Sequence, residues 1–377
     1  MYIYHINTMD PKILPQSILE ENDILKFTLH GVNMSLANAL RRTILSEIDI
    51  IVFKAYNEEV NMCTIHQNTT SFNNEIIKQR LGCIPIHINN LDIPLKDYEL
   101  HIEQENVTDT IQYITTENFK IKNTSTGEYL SESDRQRIFP PSDITGYYID
   151  FLRLKPKISD DIKGEALHLT CKFSTGNAKE NGMYNAVSCC AYGYTIDDIR
   201  QEIELNKLRK QWKDQGMKPA EIAHETTNWK LLDGLRITKP DSFDFTIESI
   251  GIYTNQEIIH KACDIIVKRL EDIDTAIEKD KLVVKESNTT IKNSYDVILN
   301  GEDYTIGKIL EYVLYTKYWQ NEERLTFCGF VKEHPHYNDS IIRLGYTNES
   351  NKAMVLGDLK FAIQELVKVY KKIKTLV

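Results

Sequence analysis

Two stretches of this chain match each other without a gap. Gly31–Glu47 reads GVNMSLANALRRTILSE, and Gly301–Lys317 reads GEDYTIGKILEYVLYTK, 270 positions later. Each is preceded by a short apolar alternation: Ile24, Phe27 and Leu29 before the first, Val297 and Leu299 before the second. That pattern predicts a strand running into a glycine turn. Ser35 and Thr305 are read as helix N-caps. The stripe Leu36, Leu40, Ile44 then defines one apolar helix face, and Ile306, Leu310, Leu314 the other. A second echo follows. Phe243–Ile273 and Ile341–Leu376 each read as a strand and a long helix, the latter carrying Leu359, Ile363, Leu366 and Tyr370 at spacings of three and four. A unit this small cannot bury stripes on two helices. The expected solution is an internal pseudo-dimer, in which the two units pack against each other.

Between the copies the pattern changes. Leu100 and Ile102, Phe119 and Ile121, and Leu167, Leu169, Cys171 and Phe173 step by two, which predicts a β-rich domain inserted in the first unit. The fold class expected is therefore α+β. The first unit covers 1–56 and 165–275, interrupted by the insertion at 57–164 and a charged helical excursion at 196–232. A polar linker spans 276–293, and the second unit 294–377. The charge balance is 45 basic against 55 acidic side chains, a formal net charge of −10. This argues against a chain whose main task is gripping nucleic acid. Seven scattered cysteines fit a reducing compartment rather than a disulfide framework. The N-terminus has no secretory pattern, and no apolar run reaches membrane-spanning length.

No catalytic motif is present. STGNAKENG lacks the order of a phosphate-binding loop, and Asp272 and Asp274 point to different faces of their helix. Cys63-x-x-His66 with Cys83-x-x-x-His87 has a metal-ligand spacing. Against it, Cys83 sits in an apolar slot and the histidines fall within strand-like alternation, so no metal or cofactor is expected. Cys189-Cys190 reads as core.

The residues NMSLANALRRTILSEI, NTTSFNNEIIKQRLGCIPI and GEALHLTCKFSTGNAKENGMYNAVS, in this order, resemble the α-type assembly subunit of multisubunit DNA-directed RNA polymerases. EDYTIGKIL, FCGFVKEHPH and IIRL resemble the smaller partner of that subunit. The resemblance implies two related subunits written as one polypeptide, similar to the fused form of large cytoplasmic DNA viruses. It implies a non-catalytic scaffold that docks the second-largest and then the largest polymerase subunit, with small subunits nearby and DNA met only through the complex. The location would be the cytoplasm, as a viral factory or virion, or the nucleus in a cell. Arg41 and Arg42 have no counterpart in the second copy, which has Glu311 and Tyr312 there. With Asn38, Lys179, Glu180 and Tyr184, they are the residues expected to dock the large subunits. Two rival readings remain at this point: a nucleic-acid-associated regulator on the same fold, and a metal protein using Cys63, His66, Cys83 and His87.

Overall fold

A computed structural model describes residues 9–56, 60–159 and 163–377. In chain order the first elements are β1 (Lys12–Ile13), β2 (Leu19–Glu21), β3 (Ile24–His30), α1 (Met34–Ser46) and β4 (Ile50–Val52). Then come β5 (Cys63–Asn68), α2 (Asn74–Gly82), β6 (Tyr98–Glu105), β7 (Gln112–Thr115), β8 (Lys120–Asn123), α3 (Glu132–Ile138) and β9 (Asp150–Leu154). β10 (Ala166–Lys172), β11 (Ser174–Gly176) and β12 (Val187–Ile196) lead to α4 (Asp198–Asp214), α5 (Pro219–Leu231), β13 (Thr238–Ser249) and α6 (Asn255–Glu278). The chain closes with β14 (Val283–Glu286), β15 (Ser294–Asn300), α7 (Tyr304–Leu314), β16 (Leu325–Val331), β17 (Asp339–Tyr346) and α8 (Lys352–Leu376). A π-helical turn, Tyr315–Asn321, follows α7. No helix among the described residues is long and apolar enough to cross a membrane.

These elements form an α+β protein in two compact units. Of the described residues, one unit gathers those from 9 to 44, Cys189–Glu248 and Asn255–Val377; the other holds those within Leu45–Ser188 and Ser249–Thr254. The first unit contains both copies of the repeat, and their strand pairing and glycine turns agree in register. β3 pairs antiparallel with β13, setting His30 against Ser242, and β15 pairs with β17, setting Asn300 against Asp339. Gly31 (φ 79°) and Gly301 (φ 74°) both turn in the left-handed region, where a Cβ is costly. The amide of Gly31 donates to Asp241 O at 2.8 Å and that of Gly301 to Asn338 O at 2.9 Å. The offset is 270 through the first strand and helix. Through the second strand and helix it is 97, which carries Ser242 to Asp339 and Asn255 to Lys352. Ile258, Ala262, Ile266 and Ile273 of α6 thus correspond to Val355, Leu359, Ile363 and Tyr370 of α8, and all eight are buried.

The caps lie two residues before the expected ones. Ser35 does not cap α1; its N–H and Oγ both donate to Asn33 Oδ1, at 2.9 and 2.8 Å. Thr305 likewise donates its N–H to Asp303 Oδ1 at 2.9 Å. A short Asx side chain reaches the amide two residues on and so competes successfully with the hydroxyl.

The copies differ in what interrupts them. β16 and β17 are joined by a short turn, whereas the equivalent β12 and β13 are separated by α4 and α5, the charged excursion read from the sequence. The segment read as a linker is not free chain: it holds the last turn of α6 and β14, which pairs antiparallel with β15 along Val283–Glu286.

The second unit has its own core. A four-stranded sheet in the order β5-β10-β6-β8 packs with α2 and α3 around Phe53, Phe119, Phe139 and Phe151, all 2% exposed or less. This unit is wider than the β-rich segment 57–164, because β4 and β11 pair with each other, Ile51 opposite Thr175. Helices α2 and α3 were not legible beforehand.

Candidate functional site

Within the first unit, α1, α6, α7 and α8 present their apolar faces to one core. Leu36, Leu40, Ile44, Ile306, Leu310, Leu314, Leu359, Ile363 and Leu366 are each 2% exposed or less. Helices α6 and α8 run antiparallel: Lys374 pairs with Asp264 at 2.7 Å at one end, and Lys352 with Asp280 at 2.7 Å at the other. Tyr370 of α8, fully buried, donates its hydroxyl to Leu36 O of α1 at 3.0 Å. Burial drives the Tyr370 phenol well above its usual pKa, so it stays a neutral donor.

Arg42 projects from the opposite side of α1 to the N-terminus of α7. Its Nε donates to Thr305 Oγ1 and one terminal nitrogen to Asp303 Oδ2, both at 2.9 Å. Arg269 of α6 arrives at the same turn. It donates Nε to Glu302 Oε1 at 3.3 Å, is ion-paired with Glu302 Oε2, and lies 3.8 Å from Asp303. Two arginines of the first copy therefore clamp the Glu302-Asp303 turn of the second. Burial would raise the Asp303 carboxyl, but the Thr305 amide and hydroxyl oppose it. With the charges of Arg42 and Arg269, they hold the carboxyl below its ordinary value. Arg269, Glu302 and Asp303 were missed in the sequence. The signal was there: where the second copy writes Gly301-Glu302-Asp303, the first has Gly31-Val32-Asn33.

The other expected docking residues fall in two places. Arg41 donates to Asn38 Oδ1 at 3.1 and 2.9 Å along its own helix, and both are half-buried. Lys179, Glu180 and Tyr184 belong to the second unit, on a loop laid against the segment after α1. Lys179 N–H donates to Ser46 O at 2.8 Å, and its ammonium lies 3.8 Å from Glu47. Glu180 pairs with Lys54 at 2.7 Å. Tyr184 is buried, which raises its phenol.

The Cys/His set does not converge. Cys63 is buried opposite Cys171, His66 bonds Thr170 Oγ1 at 3.1 Å, and His87 bonds Gly251 O at 3.1 Å. Cys83 is exposed at the end of α2 rather than in an apolar slot, and His87 lies outside any strand. Among the described residues no three His, Cys, Asp or Glu side chains are grouped to hold a metal. Cys190 is buried and pushed up to about 12, as expected of core; Cys189 is half-buried.

Comparison with known proteins decides the family. The family model for the RNA polymerase Rpb3/Rpb11 dimerisation domain matches residues 26–270. The chain belongs to this family. Subunit Rpo3 of the DNA-directed RNA polymerase of Pyrococcus furiosus is 25% identical over 282 residues, covering 70% of this chain and 97% of that protein. The RNA polymerase II subunit RPB3 of Schizosaccharomyces pombe is 25% identical over 297 residues, covering 74% and 94%. Human RPAC1, named as a subunit of RNA polymerases I and III, is 22% identical over 311 residues, covering 70% and 84%. The family match ends at residue 270, before the second copy begins.

Proposed function

We infer that this chain is a non-catalytic assembly subunit of a DNA-directed RNA polymerase, and that its two copies form an intrachain pseudo-dimer. One observation carries the reading. The segment matched by the dimerisation-domain family pairs, through α1 and α6, with a second copy of its own fold in the same polypeptide. Residues 294–377 would stand in for the smaller partner subunit, joined covalently as in large cytoplasmic DNA viruses. The tether keeps the second copy at about millimolar effective concentration or above, so assembly does not depend on capturing it from solution. The excursion α4–α5 then lies outside the paired core. Localisation follows the transcription machinery: cytoplasm or viral factory for a viral source, nucleus for a cellular one.

Docking of the two largest subunits is assigned to the half-buried polar side chains Asn38 and Arg41 of α1 and, in the second unit, to the Lys179–Tyr184 loop. A guanidinium that, among the described residues, bonds an asparagine of its own helix keeps donors for a partner's carboxylates or carbonyls. Arg42 is shared: its interior contact is with Asp303, while its side chain remains 40% exposed. The test is a tagged pull-down from the native source in about 0.5 M salt, where casual surface attraction is screened. Wild-type protein should bring down two very large subunits and RNA-synthesising activity. Arg41→Glu should lose them while keeping its melting temperature. Recovery of the wild-type chain alone would refute the assembly role, and full recovery with Arg41→Glu would move the docking face elsewhere.

A further inference from the structure

We propose that the pairing of the two copies is selected by charge, so that the surfaces are complementary only crosswise and each copy rejects its own kind. The proposal rests on the intrachain pairing inferred above. Its evidence is an asymmetry between positions that the offsets of 270 and 97 make equivalent. At the α7 turn, Arg42 and Arg269 of the first copy meet Glu302 and Asp303 of the second. The equivalent turn of the first copy is Val32-Asn33, and the residues equivalent to the two arginines are Tyr312 and Leu366. Pairing two first copies would set both arginines against Val32 and Asn33. Pairing two second copies would set Glu302 and Asp303 against Tyr312 and Leu366. Glu302 is 9% exposed, and the Arg269 side chain 14%. Pairing two second copies would thus strand the nearly buried Glu302 away from both arginines, an unfavourable arrangement in a protein interior. Two first copies would instead bring Arg42 toward Asp241, whose carboxylate acts on Tyr312 here, and are discriminated elsewhere.

The rim of the α6–α8 seam is also one-sided, with the signs reversed. Acids lie on α6 and lysines on α8: Glu271 with Lys371 at 3.1 Å, Asp274 with Lys360 at 3.7 Å, Glu278 with Lys360 at 3.1 Å. Applying the offset of 97, two α6 helices paired in this register would bring Glu271 against Asp274. Two α8 helices would bring Lys371 against Lys368 and Lys360 against a second Lys371. Each exposed pair contributes little to stability, but the set discriminates because the wrong partner converts attraction into repulsion. The apolar stripes alone could not do this, since Leu, Ile and Val pack against either copy.

The experiment compares three full-length variants by thermal melting at about 50 mM and about 1 M NaCl. The first carries Lys371→Glu and Lys374→Glu; the second carries Glu271→Lys and Asp264→Lys, their partners; the third combines them. The substituted groups are rim positions, so the core is untouched. Each one-sided variant should melt about 3–6 °C lower at low salt, with the deficit shrinking at high salt, and the combined variant should return to within about 2 °C of wild type. A combined variant that falls by the sum of the two losses, or one-sided variants that melt like wild type, would overturn charge selection. Ile363→Ala separates this failure from failure of the pairing itself. If it melts several degrees low while the charge variants are silent, the pairing stands without selection. If Ile363→Ala is silent too, the pairing reading falls.

Discussion

Replacing Arg269 by leucine removes the guanidinium that neutralises Glu302, and its effect can be worked from the structure. The two side chains are 14% and 12% exposed and bonded through both carboxylate oxygens. Breaking a fully buried pair from one side costs about 3–5 kcal/mol, because the remaining charge keeps its desolvation penalty and loses its compensation. Residual solvent contact, and Lys332 Nζ lying 3.5 Å from Glu302 O, bring the expectation to the lower end, about 2–3 kcal/mol. At roughly 2 °C per kcal/mol for a domain of this size, Arg269→Leu should melt about 4–6 °C lower. Scanning calorimetry would measure this, with a guanidinium titration to show whether the slope is unchanged. The decisive variant is the double one, Arg269→Leu/Glu302→Leu, which replaces an ion pair by apolar contact and should recover most of the loss. If the double variant were no more stable than the single, or if Arg269→Leu melted within 1 °C of wild type, the clamp would not be an energetic element of the fold.

Four further outcomes are expected. Leu366→Ala empties a fully buried site and should cost about 2–5 kcal/mol by chemical denaturation. Asp303→Asn keeps a capping oxygen but loses the charge that Arg42 and Arg269 stabilise. Because the Asp303 pKa is lowered on folding, that charge stabilises the protein above the ordinary carboxylate value of 3.8. The difference between wild type and variant should therefore vanish as pH falls through the folded value, which a pH series of melts would show. Gly31→Ala and Gly301→Ala impose similar backbone strain at φ 79° and 74°. Only at Gly31 would the new Cβ sit 2.2 Å from Asp10 O, so Gly31→Ala should be clearly the less stable of the two, and Gly301→Ala should lose about 1 kcal/mol. Asp358 is buried, which raises its carboxyl, and it accepts from Tyr346 Oη at 2.8 Å. Asp358→Asn should be milder than Asp358→Ala, which leaves a buried hydroxyl without an acceptor and should cost about 1–3 kcal/mol more.

What the sequence made legible was the part governed by period. The stripes Leu36-Leu40-Ile44 and Ile306-Leu310-Leu314 step at the helical repeat and are buried, and the alternation at Leu100 and Ile102 marks β6. What it hid was governed by distance across the fold. Nothing near Arg42 in the sequence announces Asp303, 261 positions away, and a pair of adjacent arginines reads as surface charge until α7 is in place. The caps were hidden differently. Ser35 and Asn33, or Thr305 and Asp303, are both competent, and only the backbone at the turn decides which oxygen meets the free amides. The Cys/His set misled in the opposite direction. Its spacing suits a metal, but β5 buries Cys63 against Cys171 while Cys83 is left exposed at the end of α2.

The Arg42 contact also explains why adjacent arginines belong on one copy only. Consecutive helical residues diverge by about 100°, so Arg41 and Arg42 cannot serve the same neighbour. Arg42 reaches across to Asp303 and Thr305. Arg41 lies along its own helix, held by Asn38. At the equivalent place in the second copy, burial raises the Tyr312 phenol, and the carboxylate of Glu311 pairs with Lys308 along its own helix. The turn facing position 312 has Val32-Asn33 where the second copy has Glu302-Asp303, and its nearby carboxylate, Asp241, lies outside the turn and acts on the Tyr312 phenol. On the proposed reading the pair divides two tasks between neighbours, Arg42 joining the copies and Arg41 serving the docking face. Exchanging Arg41 and Arg42 separately should separate them. Arg42→Gln should lower the melting temperature by about 1–3 °C and leave pull-down of the large subunits intact at a temperature where the chain is folded. Arg41→Gln should do the reverse. Loss of both properties with either variant would show that the face is a single surface and that the division is wrong.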